Sequence, residues 1–167
     1  AGAGGGCRTS MGKRLVREWL RRPLARRAAI EARHACVGML VGDRRMLEAV
    51  GDAIDGVQDV ARIGGRLALG RATPRDLSAL GRSLSRTERI LDALRINAGE
   101  NAFTAIVERL DAARTALQPL ADDIGASCVD DPPAHLREGG LFRDGVDAEL
   151  DEARTLQRDA SAWLASY

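Results

Sequence analysis

The chain has 167 residues, of which 45% are apolar and 29% charged, and this composition fits one globular domain rather than a disordered chain. We expect neither a membrane span, since no run approaches the ~18 apolar residues that one needs, nor a secretory signal. The net charge of +1 hides an asymmetry between the two parts of the chain. Residues 1–95 carry 19 Lys and Arg against 10 Asp and Glu, whereas residues 96–167 carry 6 Lys and Arg against 14 Asp and Glu. This pattern is typical either of a nucleic-acid face or of two surfaces that pair with each other.

The first predicted helix follows a Gly-rich start that we interpret as a flexible linker remnant over residues 1–9. Thr9 or Ser10 is suited to cap this helix, because either hydroxyl accepts from the free N–H groups of the first turn. Pro23 is expected to end it, since proline has no N–H and clashes with the preceding turn. One side of the helix is an apolar stripe that consists of Met11, Leu15, Val16, Trp19 and Leu20.

The other side of this helix is basic, and Lys13 lies on it too. Six arginines over residues 14–27, here named the basic face, are the candidates for contact with phosphates or with a neighbouring domain: Arg14, Arg17, Arg21, Arg22, Arg26 and Arg27. Two further interpretations stay open, namely a solvated helix face and a face paired with the acidic second part of the chain.

Helical patterns continue along the chain. A second helix is predicted over residues 27–41, with an inward face of Ile30, His34, Val37, Leu40 and Val41. Asp43 caps a third helix, and a fourth over residues 57–70 contains Gly64-Gly65, where we expect the close approach of another helix.

The sequence T-P-R-D at 73–76 is a strong helix start, and the helix is predicted to run to residue 96. The next helix has a heptad stripe of Phe103, Ile106, Leu110, Ala113, Leu117, Leu120 and Ile124. Pro119 is expected to break it into two. A small β-hairpin is predicted around Gly139-Gly140, before a final helix within residues 145–167. The fold class is therefore all-α, an irregular domain of about seven helices with one small β-hairpin.

Nothing in the chain has the pattern of a catalytic, cofactor or metal site. The cysteines Cys7, Cys36 and Cys128 are far apart, so we expect free thiols and no zinc. Asp130-Asp131 precedes two prolines, as solvated loop residues often do. The segment 65–72 lacks the lysine and hydroxyl residue of a P-loop, and no serine has nucleophile-elbow spacing. We therefore expect no enzymatic activity in this chain.

Blocks of the sequence, taken in order, resemble the core, or lever, domain of the MutS family of DNA mismatch repair proteins. The first are C-R-T-S-M-G-K-R-L-V-R-E-W-L-R-R-P-L at 7–24 and I-E-A-R at 30–33. They are followed by D-V-A-R-I at 59–63 and R-L-A-L-G-R-A-T-P-R-D-L at 66–77. The last are D-D-P-P at 130–133, L-R-E-G-G at 136–140 and D-A-E-L-D-E at 147–152.

The resemblance implies a helical core domain over residues 10–144 and, over residues 145–167, the start of a long lever helix that leads toward a clamp domain outside the chain. It implies a mechanical relay between an ATPase and a DNA clamp, with ATP and Mg²⁺ bound elsewhere in a longer cytoplasmic protein. The implied partners are the connector, clamp and ATPase domains of that protein, double-stranded DNA and a second copy in a homodimer, with no membrane.

Two alternatives stand beside this interpretation. In the first alternative, the chain is an independent helical module that binds nucleic acid through the basic face. In the second, it is a scaffold for protein–protein contacts. A salt titration of DNA binding separates the first alternative from the relay, because phosphate contacts are lost as salt is added.

Overall fold

The protein is described here by a computed structural model, which covers residues 6–95 and 102–165. That part of the chain forms eight α-helices, with a 3₁₀ turn at Leu136–Glu138 before the last of them. The all-α prediction is confirmed. The helices are α1 (Ser10–Arg21), α2 (Arg27–Gly42), α3 (Arg44–Ile54), α4 (Val60–Ala68), α5 (Pro74–Ser85), α6 (Thr87–Arg95), α7 (Thr104–Ser127) and α8 (Ala148–Ala165).

Side-chain caps fix where most of these helices begin. Thr9, Asp43, Asp59 and Thr73 each accept the backbone N–H three residues ahead, at 3.0, 3.0, 3.2 and 3.2 Å. Asp147 does the same before α8, at 2.9 Å. Each bond satisfies one of the backbone donors that a first helical turn leaves free. The predicted caps at residues 9, 43 and 73 are confirmed.

Two clusters of buried side chains hold α2 to α7 together, and we call these six helices the helical body. The first core cluster joins α4, α5, α7 and the loop after α7 through Ile63, Leu80, Ile124, Cys128 and Leu141. The second joins α3, α6 and the start of α7 through Met46, Leu94 and Phe103. The most extensive packing is between α5 and α7. Neither α1 nor α8 has a buried side chain among the described residues.

The helix predicted from residue 73 to 96 is two helices, α5 and α6, with a break at Arg86. Two serines near the break, Ser83 and Ser85, donate their hydroxyls to the carbonyls of Ala79 and Gly81, at 2.6 and 3.0 Å. Such bonds to the preceding turn bend a helix. The predicted end at residue 96 lies outside the described residues.

Pro119 does not break α7, which runs without interruption to Ser127, so the prediction of two helices is wrong. Proline removes one helical hydrogen bond and costs about 3 kcal/mol in a helix interior. Pro119 and Thr115, whose carbonyl loses its donor, are both exposed, so solvent reaches the free carbonyl. Beyond the proline, Ala121 and Ile124 are buried in the helical body and hold the second half of the helix in line.

The predicted hairpin at Gly139-Gly140 is not formed in the described residues. The residues before these glycines turn as the 3₁₀ segment, and both glycines have positive φ angles of 71° and 75°. Phe142 instead forms an isolated antiparallel bridge with Cys128, at the end of α7. The segment after the glycines therefore pairs with a distant residue and not with the one that precedes the turn.

The predicted inward face of α2 is only partly correct. His34, Val37 and Val41 are exposed, whereas Ile30 and Leu40 are half-buried. The contacts to the second core cluster are made by Cys36, Met39 and Leu40. Because α2 packs mainly on α3, only a narrow stripe of it is covered.

Gly64 and Gly65 lie on an exposed part of α4, and no heavy atom is within 4 Å of a Cβ added at either. The predicted close approach of another helix is therefore wrong for the described residues. We expect Gly64→Ala and Gly65→Ala each to raise the free energy of unfolding by roughly 1 kcal/mol, because alanine is the better helix former. Urea denaturation followed by circular dichroism measures the change. A loss of stability in either variant would contradict the open environment of these positions.

Candidate basic interaction surface

A groove of about 570 Å³ runs along α1, and seven of its eight lining residues are charged. Residues spaced by three or four positions fall on one side of a helix, so the basic side chains of α1 converge there. Arg62 reaches the groove from α4. The lining residues are Ser10, Lys13, Arg14, Arg17, Glu18, Arg21, Arg22 and Arg62.

Arg14 anchors α1 to the helical body. Its guanidinium binds both carboxylate oxygens of Asp59, with Nη2 at 3.2 Å from Oδ1 and Nη1 in short contact with Oδ2. The Asp59 side chain is only 11% exposed and also accepts the N–H of Arg62. The Arg14 guanidinium lowers the pKa of Asp59 below its ordinary value, while burial opposes this shift. Arg14 is therefore committed to an internal contact, and the pair sets the position of α1 on the N-terminus of α4.

The other cations of the groove face solvent. Lys13, Arg17, Arg21 and Arg22 are exposed, and none of them forms an ion pair with a described residue. Glu18 is the one acid in the lining. Guanidinium groups present planar forks of donors that match carboxylates and phosphates. This half of the groove is thus available to an anionic partner.

The structure brings together four of the six residues of the predicted basic face, namely Arg14, Arg17, Arg21 and Arg22. Arg26 and Arg27 do not line the groove. The Nε of Arg27 donates to Glu31, one turn along α2, at 2.7 Å. Lys13 was recognisable on the basic side from its spacing. Arg62 was not, because it comes from another helix and only the Arg14 and Asp59 contact brings it near.

The apolar stripe of α1 makes a second contact with the helical body. The Arg33 guanidinium of α2 lies 3.5 Å from the centroid of the Trp19 ring. A cation over an indole face is stabilising by roughly 0.5–1 kcal/mol at an exposed site. Leu15 and Leu20 of the same stripe stay exposed. No ion pair joins α1 to the described residues of the acidic second part of the chain, 102–165. Within the described residues, the cations of α1 are therefore not neutralised by that acidic part.

Other kinds of site find no support in the described ranges. They hold no group of three or more His, Cys, Asp or Glu side chains placed to bind a metal ion. All three cysteines are free, and burial raises the pKa of the Cys128 thiol, which keeps it protonated. The helices of the described ranges are too short or too polar to cross a bilayer.

Comparison with known proteins gives one consistent result. Residues 5–165 match the family model described as MutS domain III. Proteins named DNA mismatch repair protein MutS are 35% identical in Methanosarcina mazei, 37% in Salinibacter ruber and 38% in Thermus aquaticus, over 96%, 95% and 94% of this chain. The matched region is 17–18% of the length of these relatives.

Proposed function

This chain belongs to the MutS domain III family, and we propose that it serves as the mechanical relay segment of a MutS-type mismatch repair protein. In this proposal the helical body receives movement from an ATPase domain, and α8 carries it toward a DNA clamp. Packed helices are suited to this task, because they shift nearly as rigid bodies. The family match across residues 5–165 is the observation that carries the proposal.

The arrangement of α8 supports a relay. The helix has 18 residues and is therefore about 27 Å long. From Thr155 to Leu164 every residue is exposed. A helix that leaves the body in this way is suited to transmit a displacement over its length, as the proposed lever requires.

Exposed apolar side chains support the presence of neighbouring domains. The predicted heptad stripe of α7 is buried at Phe103 and Ile124, but Ile106, Leu117 and Leu120 are exposed. Part of this stripe lines an open apolar groove of about 300 Å³ between α5, α6 and α7, to which Met11 of α1 and Val60 of α4 also contribute. Apolar surface of this kind typically marks a contact with another protein surface.

The partners follow from the same proposal. In this proposal the segment is part of a longer cytoplasmic protein that also contains connector, clamp and ATPase domains. That protein binds ATP with Mg²⁺, duplex DNA and a second copy of itself, mostly through residues outside this segment. Within the segment, we assign Lys13, Arg17, Arg21 and Arg22 to an acidic surface of a neighbouring domain, since they lack acidic partners among the described residues. The segment itself neither hydrolyses ATP nor recognises a mismatch.

A chimera tests the relay. Replacing the matched 157 residues of the Thermus aquaticus relative with this chain is expected to give a protein that binds mismatched duplex, hydrolyses ATP and still couples the two. The measurement is ATP turnover with and without mismatched duplex. A chimera that retains turnover and duplex binding separately, while neither responds to the other, contradicts the relay.

The second candidate function is an independent nucleic-acid module, which the free cations of the groove favour. For the relay we expect the isolated chain to bind a 20-base-pair duplex no more tightly than about 10⁻⁵ M at physiological salt, in the range of non-specific contacts. Fluorescence anisotropy at increasing salt measures this. Tight, steeply salt-dependent binding that Arg17→Gln/Arg21→Gln/Arg22→Gln abolishes would establish the module instead.

The matched control removes the same charge from exposed arginines outside the groove, in Arg45→Gln/Arg71→Gln/Arg89→Gln. If both triple variants weaken binding equally, the groove is not a specific phosphate site, and only the overall charge attracts DNA.

A further inference from the structure

The loop between α7 and α8 is fastened to the helical body at its middle. Leu141 is buried in the first core cluster. Its carbonyl accepts the N–H of Val129, and two residues further on Arg143 donates its N–H to the Ser127 carbonyl, both at 2.9 Å. The backbone at residues 141–143 therefore belongs to the end of α7 and moves with the helical body.

Arg154, on the second turn of α8, reaches back to this fastened segment. Its Nη2 donates to the carbonyl of Phe142 at 2.9 Å, and its Nη1 donates to Asp144 Oδ1 at 2.8 Å. The side chain is only 22% exposed, whereas that of Asp144 is 79% exposed. A guanidinium that binds two acceptors in fixed directions restrains orientation as well as distance.

Asp151 completes the contact. Its Oδ2 accepts the Gly145 N–H at 2.7 Å, and its Oδ1 lies 3.5 Å from Nη1 of Arg154. The carboxylate thus ties the first turn of α8 to the loop through Oδ2, while Oδ1 attracts the Arg154 guanidinium electrostatically without a hydrogen bond. Apart from these residues, only Leu150 is half-buried in α8 among those described up to Leu164.

We propose that Arg154 is the positioning residue that fixes the direction of α8 relative to the helical body. The exposed part of the helix is about ten residues long, so a small rotation at Arg154 displaces its end by several ångströms. The inference deepens the proposed relay, and its functional meaning rests on that proposal. Without the Arg154 bonds, α8 moves about the loop and transmits little of what the helical body does.

The test is nuclear magnetic resonance on the full chain in a weakly aligning medium. Residual dipolar couplings of backbone N–H groups in α5, α7 and α8 are expected to fit one common alignment tensor in the wild type. In Arg154→Ala, the couplings of α5 and α7 are expected to keep that tensor, while those of α8 shrink and no longer fit it. Arg154→Lys, which keeps the charge without the planar fork, is expected to restore the common fit only in part.

Arg158→Ala is the matched control, because Arg158 lies one turn further along α8 and, among the described residues, donates only to Thr155 Oγ1, at 3.3 Å. In the Arg158→Ala variant, the residual dipolar couplings of α8 are expected to fit the same alignment tensor as those of α5 and α7. If Arg154→Ala fails to fold, Asp144→Asn tests whether the Arg154 bonds fix the direction of α8. This variant weakens the bond from Arg154 Nη1 and changes only an exposed side chain. A common tensor in every folded variant, or equal loss in the Arg154 and Arg158 variants, would overturn the proposal.

The experiment uses neither DNA nor nucleotide, so its result is separate from that of the chimera. Independent motion of α8 in Arg154→Ala, together with a chimera that fails to couple, leaves the positioning role intact and removes the relay. A common tensor in Arg154→Ala, together with a chimera that couples, removes the positioning role alone.

Discussion

Gly81→Ala is expected to lower the free energy of unfolding by about 1–3 kcal/mol, although alanine is the better helix former. A Cβ added at Gly81 lies 2.6 Å from Cγ2 of Ile124 and 3.1 Å from its Cβ. Both residues are buried where α5 packs against α7. A β-branched side chain in a helix has one preferred χ1 rotamer, so the methyl group has little freedom to turn away. The two helices must therefore separate.

Urea denaturation measures this loss, and a double-mutant cycle identifies its cause. Ile124→Leu moves the branch one carbon further from the backbone and removes Cγ2, so Gly81→Ala/Ile124→Leu is expected to lose less stability than the two single variants together. Gly64→Ala is the control, because the same change on exposed α4 should stabilise the protein. If Gly81→Ala is as stable as the wild type, the close contact between α5 and α7 does not exist.

Asp76→Asn is expected to lower the free energy of unfolding by about 2 kcal/mol at neutral pH. The variant is also expected to lack the loss of stability that protonation of Asp76 causes in the wild type at acidic pH. The Nε of Arg66, on α4, donates to Asp76 at 2.9 Å, and the carboxylate also accepts the Thr73 N–H at 3.0 Å. The Arg66 guanidinium is the main cause that lowers the pKa of Asp76 from 3.8 to about 2, while burial opposes it. The contact joins α4 to α5.

The direction of the pH effect follows from this lowered pKa. Because the carboxyl binds protons more weakly in the folded chain, its contribution is complete above about pH 4 and is lost as the pH falls toward 2. Denaturation curves for the wild type and Asp76→Asn should therefore converge over that interval. Asp130→Asn is the control, since Asp130 is 92% exposed in its pair with Arg143 and should change stability little. A constant difference between wild type and Asp76→Asn from pH 7 to 2 would contradict the lowered pKa.

Local rules predicted the helix starts well, because a cap depends on residues three positions apart. Thr9, Asp43 and Thr73 accept the N–H groups that the sequence assigns to them. Helix interiors were predicted less well where distant packing decides. Pro119 looks like a break from its own chemistry, yet burial of Ala121 and Ile124 keeps α7 continuous.

Contacts between distant residues account for the rest. The Arg14 and Asp59 pair joins residues 45 positions apart, and no local pattern reveals that it brings Arg62 to the groove of α1. Phe142 pairs with Cys128 and not with the residues before Gly139, since the buried Leu141 draws the segment to the end of α7. The sequence blocks shared with the family contain Arg14, Asp59 and Arg62 but neither Cys128 nor Phe142.

The two tryptophans of the chain lie in its two outer helices, Trp19 in α1 and Trp163 in α8, and neither belongs to a core cluster. Trp19 packs against Arg33 of α2, whereas Trp163 is already 61% exposed, so a change in intrinsic fluorescence mainly reports the detachment of α1. Far-ultraviolet circular dichroism is dominated by the helical body. Fluorescence and dichroism curves that do not coincide would thus reveal fraying of α1 from an intact body.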